Sequence, residues 1–163
     1  MYASLTIAAL LLALPGCEAV QANPCGLTES CAQDESLDTT VPVEMSVRGK
    51  PVATCSTDPM TGFFRDGTCR TGPSDRGIHT VCAEVDDRFL DFTASRGNDL
   101  RTPSTRSRFP GLVAGDRWCL CAARWEEARQ AGAAPPVVLD ATSAASLRKT
   151  TRRALMNHAV GNP

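Results

Sequence analysis

Hydrophobic and polar positions along the chain fall into three regimes. Residues 1–16, MYASLTIAALLLALPG, carry no charge and hold an apolar run from Ala8 to Leu14. That run is too short to span a bilayer and suits the h-region of an export signal. From Glu18 to about Glu44 the chain is polar and acidic, with neither a helical nor a strand period, and reads as a tether. From Met45 onward short apolar blocks alternate with clusters of Gly, Pro, Asp and Ser, the pattern of one folded domain over 45–163.

Within that domain PVATC (51–55) and IHTVCAEV (78–85) read as strands. Asp86 or Asp87 then caps a helix carrying Phe89, Leu90 and Phe92, with Gly97 placed to end it. DRWCLCA (116–122) reads as a buried strand. ARWEEARQAG (123–132) follows as a helix with Trp125 and Ala128 on one face and Gly132 past its end. PPVVLDAT (135–142) reads as another strand, and TTRRALMNHAV (150–160) as a last helix capped by Thr150. Strand, helix, strand at this spacing predicts a crossover unit with parallel strands. The expected class is α+β: a single small domain with a mixed sheet and a C-terminal helix. Two long irregular segments, 56–77 and 99–116, interrupt it, and segments of that length in a compact domain are usually functional.

Composition narrows the function classes. A chain of 163 residues holds one domain of ordinary size. Seventeen basic against 18 acidic residues leave a net charge of −1, so no strong field draws the chain to nucleic acid or anionic lipid. Eight cysteines need a specific account. LPGC (14–17) has the form of a bacterial lipobox, which makes Cys17 a lipidation site and the membrane a partner through an N-terminal anchor. The expected location is the cell envelope, with plain secretion as the alternative. Cys25 and Cys31, six apart in the tether, are expected to close a local disulfide in an oxidising compartment.

The remaining cysteines, Cys55, Cys69, Cys82, Cys119 and Cys121, lie in the domain. Five is odd, so at least one stays unpaired unless a tether cysteine joins. On a strand Cys119 and Cys121 point to the same face. His79 lies three before Cys82, on the opposite face unless a bulge intervenes. Cys55 and Cys82 read as core residues or disulfide partners. Cys69 sits in a Gly-rich loop, where burial is less automatic, and reads as the best single candidate for a reactive or ligating thiol. Three chemistries fit. Cys69, Cys119 and Cys121, with Cys82 or His79, have ligand types suited to zinc or copper, although the paired CxxC knuckles of structural zinc sites are missing. Cys119 and Cys121 could cycle between dithiol and disulfide, or one could exchange with Cys69. Alternatively, a cysteine acts as nucleophile with His79 as base and Asp75 or Asp66 orienting it. An interaction protein whose cysteines are purely structural is the remaining class, so whether the protein is an enzyme stays open.

The long segments also carry Asp58, Arg65, Asp66, Asp75, Arg96, Asn98, Asp99 and Arg117 beside Trp118. Singly such residues close turns on their own backbone. Together they could line a cleft for a small polar or anionic ligand, with Arg65 or Arg117 making a bidentate contact. His158, near the end of the last helix, is expected to meet that helix's C-terminal dipole and stands outside the site.

CSTDPMTGFFRDG (55–67), TGPSDRGIHTVCA (71–83), SRGNDL (95–100), FPGL (109–112), GDRWCLCAARW (115–125) and AGAAPPVVLDAT (131–142), in this order, resemble the signature blocks of the family catalogued as domain of unknown function 2237. The resemblance covers roughly 45–160 and implies no activity, because the family has none assigned. Typical members are short and have no export signal, so the lipobox and tether here resemble an addition. Thr68 stands where members often have a second cysteine beside the one matching Cys69. Ser143 stands where a histidine often follows AT. These departures remove a thiol and an imidazole from any site the resemblance would imply.

Overall fold

The computed structural model describes residues 43–161. The signal segment, the tether, Cys17, Cys25 and Cys31 lie outside the described residues.

Strand β1 (His79–Glu84) and strand β2 (Arg117–Cys121) pair antiparallel, with Cys82 opposite Cys119, Ala83 opposite Trp118 and Glu84 opposite Arg117. Alternation along a strand divides their side chains between two faces. Val81, Ala83, Trp118 and Leu120 join an apolar core with Phe89, Leu90, Trp125, Val137 and Leu155. Cys82 and Cys119 face the other way, into a second cluster with Cys55, Cys69 and Ala141.

Helices cover the apolar face. Helix α1 (Asp87–Ser95) starts where Asp86 accepts the Phe89 N–H at 2.7 Å, and it buries Phe89, Leu90 and Thr93. Gly97 follows at φ +78°, the left-handed conformation that favours glycine after a helix end. Helix α2 (Ala122–Gln130) buries Trp125 and Ala128, and the Trp125 indole N–H donates to the Pro135 carbonyl at 3.2 Å. Two 3-10 turns, Leu139–Ala141 and Ala144–Arg148, lead to the short helix α3 (Arg152–Asn157). Among the described residues no helix is long and apolar enough to cross a membrane.

The class is α+β as expected, but three elements differ from the sequence reading. Residues 51–55 form isolated bridges, Met45 with Pro51 and Thr54 with Thr68, and no strand; Pro51 has no N–H to give a ladder. Residues 135–142 touch β1 through one bridge, Val137 to Ala83, before winding into a 3-10 turn. Pro135 and Pro136 lack donors, and the Thr142 hydroxyl closes the turn onto the Val138 carbonyl at 2.9 Å. This segment runs antiparallel to β1, hence in the direction of β2, but β1 lies between the two. The expected mixed sheet with a parallel crossover is therefore a two-stranded antiparallel sheet. The cap of α3 is Thr151, which accepts from the Ala154 N–H at 3.1 Å. Thr150 donates instead to Glu126 on α2 at 2.7 Å.

Candidate functional site

The site begins with an irregularity in β1. Val81 pairs with Leu120, yet His79, two residues earlier, pairs with Cys121, only one residue further along β2. Thr80 is thus the extra residue of a bulge, and bulges re-aim side chains. Directly opposed residues of an antiparallel pair share a face, so His79, Cys82, Cys119 and Cys121 come to one side despite the odd spacing of His79 and Cys82. Ile78, just before the bulge, has φ +50°. That conformation is unfavourable for a β-branched residue, with a strain of roughly 1–3 kcal/mol. It is held by backbone hydrogen bonds from Ile78 N to Asp75 O at 3.2 Å and from Ala122 N to Ile78 O at 3.0 Å.

The His79 ring is fixed on three sides. Its Nδ1 lies 2.6 Å from Asp75 Oδ1, while its own backbone N–H and the Thr71 hydroxyl donate to Asp75 Oδ2 at 2.8 and 3.0 Å. The Asp75 side chain is fully buried, and the imidazole is 41% exposed. Burial pushes the Asp75 carboxyl up, but the hydrogen bonds from His79 and Thr71 outweigh it and hold the group below the usual carboxylate range. An ionised carboxylate only accepts, so in the neutral ring Nδ1 carries the proton and Nε2 has the free lone pair. Phe63 stacks on the ring with centroids 6.3 Å apart. On Gly77 a Cβ would stand 2.3 Å from the ring's Cε1 and 2.9 Å from Nε2. Only glycine lets the imidazole lie there.

Two open cavities meet at this ring. One, of about 160 Å³, is lined by Gly62, Phe63, Arg65, His79, Trp118 and Cys119. The other, of about 230 Å³, includes His79, Asn98, Leu100, Trp118, Cys121 and Arg124 in its wall. The Arg65 guanidinium sits 4.8 Å from the Trp118 ring centroid. Burial, and then repulsion from Arg108, lower the Arg65 pKa from its ordinary value. Arg124 pairs with Glu127 at 2.9 Å.

The thiols are sorted differently from the sequence reading. Cys55 is bonded to Cys82, and Cys69 to Cys119. Cys69, expected to be the reactive or ligating thiol, is fully buried and bonded, not free; its glycine-rich loop is folded inward by the bond to β2. Cys119 and Cys121 are not joined to each other, and Cys121 is the free, half-buried cysteine of the described residues. The expected metal set of Cys69, Cys82, Cys119 and Cys121 is not gathered as free thiols. The sulfurs within 4.8 Å of one another are those of Cys55, Cys69 and Cys119. Among the described residues no hydrogen bond joins the Cys121 thiol to His79.

The polar candidates separate in the same way. Arg65, Asn98 and Trp118 line the cavities, and Asp75 reaches them through His79. Asp66 accepts from the Thr68 N–H and hydroxyl and from Arg70, which outweigh its burial and lower its pKa while closing the loop. Asp99 accepts from the Arg101 and Thr102 N–H groups. The Asp58 N–H donates to Ser56 in a local turn, Arg96 pairs with Glu127 on α2, and Arg117 pairs with Glu84 at 3.4 Å on the exposed side. None of these five lines either cavity. His158 caps α3, its Nδ1 2.9 Å from the Ala154 carbonyl and its ring edge-on to Trp125. Thr68 bonds Asp66, and Ser143 bonds Glu44. Arg124 and Gly77 were not singled out from the sequence. Arg124 had a readable signal, since it lies three residues after Cys121 at the start of a predicted helix.

Residues 45–159 match the model of a family described as "Uncharacterized protein conserved in bacteria (DUF2237)". No curated protein matches the chain.

Proposed function

The chain belongs to the DUF2237 family of uncharacterized bacterial proteins, and from that premise we propose that it is an exported, lipid-anchored domain that binds a small anionic molecule in the His79 cleft and acts on it through the Cys121 thiol. The observation that carries the reading is the pairing of His79 with Cys121 across the strands, in one cavity, with the imidazole held by a buried carboxylate. Arg65 and Arg124 give the cleft its attraction for an anion. Export is supported by the Ala8–Leu14 run and LPGC, and by two disulfides, which persist in oxidising compartments.

In the catalytic step His79 Nε2 takes the Cys121 proton, and the thiolate adds to a carbonyl carbon of the bound molecule. The C=O π pair moves onto oxygen, which takes the proton back from the imidazolium, so a tetrahedral thiol adduct forms with no group lost. Asp75 keeps the ring in the tautomer that can do this and stabilises the imidazolium formed. That no hydrogen bond joins the Cys121 thiol to His79 among the described residues favours a second reading, in which the cleft binds its ligand without reacting.

Alkylation of Cys121 by iodoacetate and by neutral iodoacetamide, followed by mass mapping of its peptide in the full chain, tests the first reading. The expected ratio of the two rates is biased toward the anion and falls several-fold in Arg124→Ala and Arg65→Ala. Equal ratios in all three proteins would remove the anionic-ligand claim.

A further inference from the structure

Beyond that reading, and independently of Cys121, we propose that Cys55, Cys69, Cys82 and Cys119 form a zinc site when their two disulfides are reduced. The two bonds are neighbours: the Cys55 sulfur lies within 4.8 Å of both Cys69 and Cys119 sulfurs, and Cys82 is bonded to Cys55. All four residues are buried. Cys82 and Cys119 face each other across β1 and β2, and Thr142 and Thr61 accept their backbone N–H groups at 3.1 and 2.9 Å. Cys82 and Cys119 are therefore fixed by the ladder and its supports in addition to the sulfur bonds, while Cys55 and Cys69 adjoin the Thr54–Thr68 bridge, where the Cys55 N–H donates to the Gly67 carbonyl at 2.8 Å. Zn–S bonds of about 2.3 Å in a tetrahedron need sulfurs about 3.8 Å apart. Each pair would open from bonding distance while the two pairs draw together across the existing gap.

Paired CxxC knuckles are absent, but strand pairing does the same work by bringing residues distant in sequence onto one face. Four buried thiols released by reduction would lie in apolar surroundings, where a thiolate needs a counter-charge and Zn²⁺ supplies it. Reduction by a dithiol transfers two electrons to each disulfide, giving four thiols and two oxidised dithiols. Binding of Zn²⁺ then forms four Zn–S bonds and releases four protons. The same cluster would be two cross-links under oxidising conditions and a metal centre under reducing ones.

The test uses the full chain, reduced with a phosphine, which consumes one water and yields one phosphine oxide for each disulfide opened, and then given zinc. The expected result is one zinc per chain by native mass, with an X-ray absorption shell of four sulfurs at about 2.3 Å. The same result is expected in Cys121→Ser and in the double variant Cys25→Ser/Cys31→Ser, and none in the oxidised chain. A reduced chain that takes up no zinc, a shell containing nitrogen, or loss of zinc in either variant would overturn the proposal. Alkylation of Cys121 reports on the cleft reading separately, so the two can fail independently.

Discussion

The two faces of the β1–β2 ribbon are written in alternate residues of the same two strands, yet they are built by different means. Val81, Ala83, Trp118 and Leu120 pack against α1 and α2, and that side is held by apolar burial from helices close in sequence. On the other side Cys82 and Cys119 are covered by loop residues that bury little apolar surface of their own. They are held by bonds to Cys55 and Cys69, which lie 27 and 50 residues away along the chain. A face covered by loops can present a strained bulge, a half-exposed imidazole and a free thiol. The proposed chemistry therefore belongs to the covalently fastened side, next to the cross-links that hold the loop down.

Substitutions on either face separate the two means of support. On the helical side, Trp125→Ala should cost about 3–5 kcal/mol in denaturant unfolding, since it empties a fully buried site and orphans the Pro135 carbonyl. On the sulfur side, loop entropy predicts about 4 kcal/mol for removing the Cys69–Cys119 bond as paired alanines, and about 3.5 kcal/mol for Cys55–Cys82. The order of the two follows from their loop lengths; a reversed order would mean that the 56–77 loop is held by something other than its cross-links.

Gly77→Ala disturbs the His79 face while leaving the helical core in place. Its Cβ would collide with the His79 ring, so roughly 1–3 kcal/mol of strain is expected, together with loss of Cys121 reactivity while the Trp125 core keeps its near-ultraviolet dichroism. A variant that unfolds outright would show the two faces to be one cooperative unit.

A smaller effect is set by pH on the helical side. Hydrogen bonds from Arg129, with Thr150 and Gln130, outweigh burial and lower the Glu126 pKa to about 2. A carboxylate depressed in the folded state stabilises it above the ordinary value near 4.5 and loses that contribution as pH falls toward 2. Glu126→Gln should therefore cost roughly 1–2 kcal/mol at pH 7 after solvent screening, and the difference from the unmodified chain should vanish near pH 2 in urea titrations.

Much of the fold was legible because its signals are local. The Asp86 cap, Phe89 and Leu90 on one face, and Gly97 past the end define α1; Trp125, Ala128 and Gly132 define α2. The residues 135–142 misled because apolar β-branched content does not reveal that two prolines and Thr142 would turn the segment into a 3-10 coil. In the site, the like orientation of Cys119 and Cys121 followed from strand period alone. The meeting of His79 with them required a bulge that no residue pattern announces, and the pairing of Cys69 with Cys119 joins a loop to a strand. Long-range covalent partners leave no periodicity in the sequence. The expectation of a reactive thiol at Cys69 failed for that reason, since the residue is buried in a disulfide.

The central claim is that Asp75 and His79 serve the Cys121 thiol, and the rate of its alkylation by iodoacetamide tests this most directly. The rate would be measured at pH 7 in the unmodified chain, Asp75→Asn and His79→Gln, with folding confirmed by circular dichroism. The account predicts a fall of roughly tenfold or more in both variants. Rates unchanged in folded proteins would contradict it and leave the bulge and its buried carboxylate as structural features only.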